Sequence, residues 1–123
     1  MIMVEHTGRI SGLPRFVCLE VAEQQGPNVV IVASGFGRRA QWYQNLEAHP
    51  LCRVSIGNRV NASARARFMS DIESEAAIKR YQAKHPIAWR QLRGAIEHAT
   101  HQRVHTLPMV EISLTPGTRS TPA

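Results

Sequence analysis

The sequence predicts an α+β fold, a small β-barrel or sheet of mostly antiparallel strands with helices packed outside it. Three observations carry that expectation. Residues 51–56 (LCRVSI) and 59–69 (RVNASARARFM) flank Gly57-Asn58, a two-residue connection typical of a β-hairpin. The run NVVIVAS (28–34) is apolar throughout, as in a strand buried on both faces or closed into a barrel. The longer helical patterns are gathered between residues 70 and 102, segregated from the strands.

Taken in order, the chain opens with MIMVEH, a short strand at most. Next comes TGRISGLPR (7–15), a turn rich in backbone-permissive residues. RFVCLEVAE (15–23) has the β-branched and aromatic content of a strand, and Gly26-Pro27-Asn28 turns the chain into 28–34. GFGRR is a loop, and AQWYQNLEA (40–48) is a short amphipathic helix stopped near His49-Pro50. In the hairpin's second strand Val60, Ala62, Ala64, Ala66 and Phe68 share one apolar face. Arg59, Asn61, Ser63, Arg65 and Arg67 share a wet, basic one. Ser70-Asp71-Ile72-Glu73 fits a capping box and opens a helix to about Lys84. After His85-Pro86 a second helix, to about Gln102, turns Trp89, Leu92 and Ile96 inward. LPMVEISL (107–114) is a last strand.

A chain of 123 residues is expected to form a single domain over 1–115, with a polar, disordered tail at 116–123. No apolar run is long enough to span a membrane, the N-terminus lacks signal-peptide character, and a cytoplasmic protein is expected. Cys18 and Cys52 lie in apolar segments and read as buried free thiols. Fifteen Lys and Arg, thirteen of them Arg, face nine Asp and Glu, a balance of +6. Such a surface attracts a polyanion, either nucleic acid or an anionic cofactor. Nucleic-acid binding calls for aromatics interleaved with basic residues, and the basic strand 59–69 has only Phe68, on its apolar face.

Two segments are candidate anion sites. In the opening turn Gly8 and Gly12 permit close backbone approach, with Arg9, Arg15, Thr7 and Ser11 around them; a plain turn with two solvated arginines fits the same residues. In ASGFGRRAQWYQNL (33–46), Ser34-Gly35, Arg38 and Arg39 precede a helix N-terminus, which again suits an anion. Trp42 either packs in the core or walls a planar ring system, and Leu46 packs. His98, His101 and His105 have helical spacing but no HExxH, no cysteine and only Glu97 nearby, so no metal site is expected. Asp71 is the sole aspartate and no nucleophile–base set stands out. This pattern fits an enzyme whose anionic redox cofactor carries the chemistry.

TGRISGLPR and ASGFGRRAQWYQNLEAHP, followed by RVSIGNRVNASARA, a helix ending YQAKHP and the strand LPMVEISLTP, resemble the deazaflavin-dependent nitroreductase family. These are split β-barrel proteins that use reduced coenzyme F420. The resemblance covers Thr7 to Pro116. It implies that Arg9, Ser11, Gly12 and Arg15 face the cofactor's phosphate and acidic tail. Ser34 and Gly35 would lie against the deazaflavin with Arg38 beside them, Trp42 would wall the pocket, and Asn45 and Leu46 would belong to the family's W-x-x-N-L helix. Hydride would pass to a small-molecule acceptor such as an enone, quinone or nitro compound, with Tyr43 a candidate proton donor. FMN in the same fold, and a non-catalytic cofactor-binding protein, are the alternatives. The chain differs from relatives in Ile10, in the short GFGRR loop and in HPIAWRQLRG, which holds Trp89 but no tyrosine. Members usually carry a helix and a strand before the turn. In this chain the barrel tolerates their loss, a partner subunit fills the place in a homodimer, or the start lies upstream.

Overall fold

The computed structural model describes residues 1–102 and 107–116. His105 and the tail beyond Pro116 lie outside the described residues. Ten elements follow one another as β1 (Ile2–Thr7), β2 (Pro14–Leu19), β3 (Val21–Gln25), β4 (Val29–Ala33), α1 (Gln41–Ala48), β5 (Leu51–Ile56), β6 (Arg59–Phe68), α2 (Asp71–Lys84), α3 (Pro86–Thr100) and β7 (Met109–Leu114). A 3-10 turn at Gly37–Arg39 leads into α1.

All the strands join one antiparallel sheet in the order β2-β1-β5-β6-β7-β4-β3. Its two edge strands are consecutive in the chain, separated by Glu20 alone. Laid flat, seven strands would put those edges roughly 29 Å apart, whereas two residue steps span about 7 Å. The sheet therefore curls, and this is a split β-barrel with three α-helices among the described residues. The segment 15–23, expected as one strand, is one extended run shared between the two edges. It pairs with β1 up to Leu19 and with β4 from Val21, with a register shift between Val21 and Glu23.

Alternation on the remaining strands divides the core in two. Ile2, Val4, Val30, Val32, Val54, Ala64, Ala66, Val110 and Ile112 point into the barrel, where α1 caps them with Tyr43 and Leu46. Ile31 and Met109 face the opposite side, under Ala77, Ile78, Trp89 and Ile96 of α2 and α3. The apolar run 28–34 is thus buried on both faces, as its lack of alternation predicts. MIMVEH is more than a marginal strand, because β1 lies between β2 and β5 and pairs with both.

Two expectations change. Val60 is 71% exposed although Ala64 and Ala66 of its predicted face are buried. A register shift between Val54 and Ile56, with Asn61 at φ 53° and its amide bonded to Ser55 Oγ, turns the strand's start outward. Cys18 is exposed, because β2 turns Phe16 and Cys18 to the sheet's outer face; Cys52 is buried, and burial raises its thiol to about 11.

The capping box at Ser70 forms as expected. Its hydroxyl accepts from the Glu73 amide at 3.1 Å, and the Glu73 carboxylate accepts from the Ser70 amide at 2.9 Å. Ser74, buried one turn later, accepts from the Met109 amide and ties α2 to β7. Ser70→Ala is expected to lower stability by about 1 kcal/mol in denaturant unfolding with the fold unchanged.

Candidate active site

The opening turn closes on itself. The Gly8 amide donates to Leu13 O and the Gly12 amide to Gly8 O, each at 2.8 Å, while the Leu13 amide donates to Ser11 Oγ at 3.1 Å. Gly12 sits at φ +73°, and a Cβ on Gly8 would come within 2.7 Å of Ser11 Oγ. The Arg9 amide donates to Asn45 Oδ1 at 3.0 Å. With those amides committed, the turn offers an anion its guanidinium groups more than its backbone.

Three residues from three elements lock the turn to the barrel. Besides its amide, Arg9 donates Nη1 to the same Asn45 oxygen at 2.8 Å. Asn45 Nδ2 lies 3.1 Å from His6 Nδ1. Because Arg9 can only donate, Oδ1 must face Arg9 and the NH2 must face His6. His6 Nδ1 is therefore an acceptor, and the neutral ring carries its proton on Nε2. Burial, and then the charge of Arg15, hold His6 below its ordinary value of 6.5.

Above this lock lies a cleft of about 630 Å³, lined by His6, Gly8, Arg9, Ile10, Ser11 and Arg15 with Phe16, Val17, Gln41, Trp42 and Asn45. Among the described residues no carboxylate lines it, and neither Arg9 nor Arg15 is in an ion pair, whereas Arg38, Arg67, Arg80 and Arg93 are. Two unneutralised guanidiniums beside an indole suit a ligand that is anionic at one end and aromatic at the other.

The structure brings Arg9, Ser11, Arg15 and Trp42 together, with Gly12 shaping the turn. It places the second predicted segment elsewhere. Ser34 is fully buried; its hydroxyl donates to Gly37 O and its amide to Pro108 O. Arg38 pairs with Asp71 at 3.1 Å. Tyr43 does not line the cleft. It packs edge-on against Phe68 and Trp42, and burial first of all raises its phenol above 10.

Gly35 belongs to a second cavity, about 170 Å³, with Cys18, Leu19, Glu20, Val21, Ala22 and Ala33 on the barrel side. Ile78, Tyr81, Trp89, Leu92, Leu107 and Met109 close the other side. Tyr81 is the residue that reading α3 alone misses. It lies on α2, 5.2 Å between ring centroids from His85 and edge-on to Trp89. Burial, and then Glu20, raise its phenol above 10, so it stays protonated at neutral pH. His6 also escaped sequence reading, since nothing local marks a strand histidine that meets an asparagine 39 positions away.

A split barrel carrying a cationic, aromatic-walled cleft next to its opening turn defines a class, split-barrel proteins suited to an anionic ligand with an aromatic part. Within that class, the chain belongs to the F420H2-dependent quinone reductase family, whose model matches residues 1–100. Similar solved structures include an F420H2-dependent reductase, FDR-A, at 23% identity and TM-score 0.63, covering 91% of this chain and 92% of that one. Another, described as a domain-swapped dimer, has 23% identity and TM-score 0.61 over 91% and 78% of the two chains. The heme storage protein HutZ of Vibrio cholerae shares 12% identity at TM-score 0.56, over 94% and 82%. These likenesses show the fold. No curated protein matches the chain in sequence. The cofactor is coenzyme F420 and the protein a deazaflavin-dependent reductase. Among the described residues no helix is long and apolar enough to cross a membrane, and no group of three His, Cys, Asp or Glu gathers to hold a metal.

The depressed His6 sets a sign for stability. The unfolded chain takes up this proton near 6.5 and the folded chain only at lower pH. Stability is therefore expected to fall as pH drops below 6.5, in denaturant unfolding followed from neutral pH downward, with that component absent in His6→Asn.

Proposed function

We propose that this reductase passes hydride from F420H2 to a small, planar, apolar carbonyl acceptor, a quinone or enone. In this reading Arg9, Arg15 and Ser11 hold the cofactor's phosphodiester and acidic tail, and Trp42 packs against it. Gly35 and Arg38 belong to the loop that borders the acceptor side, with Ser34 fixing that loop from beneath. The observation that carries the proposal is the pairing of a cationic cleft with a separate apolar cavity, connected by the run from Arg15 through Ala22. A cavity near 150 Å³ with an apolar lining takes a single aromatic ring, and this one is about 170 Å³.

Bound F420H2 supplies the hydride, and the acceptor needs in addition a proton at its oxygen. Tyr81, held protonated, is the hydrogen-bond donor for that oxygen, and Trp89 and Leu92 wall the ring and keep water out. The resting charge of +6 draws the cofactor in, more strongly at low salt. The domain-swapped relative favours a homodimer for this chain as well.

Fluorescence titration with F420 and with FMN tests the cofactor side. F420 is expected to bind at micromolar concentration in preference to FMN, and Arg9→Ala and Arg15→Ala each to weaken it about tenfold; preferential FMN binding would sink the reading. Menadione reduction tests the acceptor side. Tyr81→Phe is expected to lower kcat/KM at least about a hundredfold while F420 affinity stays unchanged, and an undiminished rate would remove Tyr81 from the mechanism.

A further inference from the structure

We propose that His6 recognises an oxyanion of the ligand as a neutral donor, through Nε2–H, between the two guanidiniums of the cleft. The proposal rests on the cationic cleft being the cofactor's anion site, and it adds a residue that the opening turn does not contain.

The geometry fixes three things. His6 lines the cleft while only 5% of it is exposed, so one edge of the ring alone meets the ligand space. That edge is Nε2, because Nδ1 is taken by Asn45. Among the described residues no fully buried side-chain nitrogen or oxygen lacks a partner, so Nε2, which has none in the protein, opens on the cleft. Its proton is fixed there by the chain from Arg9 through Asn45, which leaves Nδ1 no role but acceptor.

The same chain keeps the ring uncharged. A second proton on Nδ1 would set N–H against the N–H of Asn45, and neither end of Asn45 can reverse without opposing Arg9. Of the charged groups around His6, Arg15 acts in the same direction. Arg15 lies opposite it on β2, Arg9 approaches from the turn, and α1 contributes the neutral Asn45 and Trp42. From β5 the thiol of Cys52 is protonated, and Glu5 alternates to the other face, opposite Arg53. The cleft thus holds two permanent cations and one neutral donor. Its grip on an oxyanion should not vary through the pH range where an ordinary histidine titrates.

Two substitutions separate the ring's two nitrogens. In His6→Asn the side-chain oxygen replaces the Nδ1 acceptor and preserves the lock, but nothing reaches the cleft. In His6→Gln the amide reaches the position of Nε2. F420 affinity is expected to fall about tenfold in His6→Asn and to recover in His6→Gln. The ratio of wild-type to His6→Asn affinity should stay constant from about pH 8 to about pH 6, which cancels any titration of the ligand itself. A merely structural histidine would give the reverse order of variants, and a titrating one would make the ratio climb towards low pH; either result overturns the proposal.

A second readout needs no variant. The imidazole nitrogens of His6 in labelled wild-type protein should show the Nε2–H tautomer, and the Nε2–H signal should shift on adding F420. Inorganic phosphate and free glutamate, added separately, distinguish the phosphodiester from the acidic tail as the group recognised. Absence of F420 binding with a shift on phosphate would fail the cofactor reading and leave His6 an oxyanion donor. No shift with any of the three titrants overturns the His6 proposal.

Discussion

Everything in this fold hangs on the extended run through Glu20. Because β2 and β3 are one piece of backbone serving both edges of a seven-stranded sheet, the sheet cannot lie flat. Curling creates an interior that the alternating side chains of β1, β5, β6 and β7 fill, and it leaves β4 with protein on both sides. The same closure brings Arg15, Phe16 and Val17 to the cationic cleft and Cys18 through Ala22 to the apolar cavity.

The cleft depends on a smaller version of the same economy. Helix α1 crosses the mouth of the barrel with Leu46 and Tyr43 inward, which leaves Asn45 facing the first strand and the turn. One amide then satisfies Arg9 twice and His6 once. Its geometry orients a guanidinium and selects a tautomer together. A buried amide of this kind stabilises only when all its partners are in place, since each unmade bond in low dielectric costs about 1–3 kcal/mol.

The protein's charge is distributed with the same logic. Arg67 is bound by Glu73 and Glu111, and the Glu73 carboxyl is held down to about 2 by that guanidinium and by the Ser70 amide. Arg80 is bound by Glu23 and Arg93 by Glu97. These pairs pin helices to the sheet or stiffen α3, and they leave Arg9 and Arg15 as cations without carboxylates at the cleft. Part of the excess positive charge is therefore unneutralised at the cleft, while the second cavity is mostly apolar.

How much the sequence determined follows from the range of each interaction. The Gly57-Asn58 hairpin, the capping box at Ser70, the doubly buried β4, the short helix carrying Trp42 and the glycine-bearing turn at 7–15 were all legible, because each is set by neighbours within a few residues. The Thr7 to Pro116 motif order carried the family. Only the tertiary structure decided that 15–23 serves two edges, that Ser34 and Arg38 are engaged within the protein, and that Cys18 faces outward. It alone brought Tyr81 beside Trp89 to line an apolar cavity and set His6 against Asn45. Those outcomes turn on which distant strand or helix arrives at a given face, and a local pattern of apolar and polar residues contains no record of its partner.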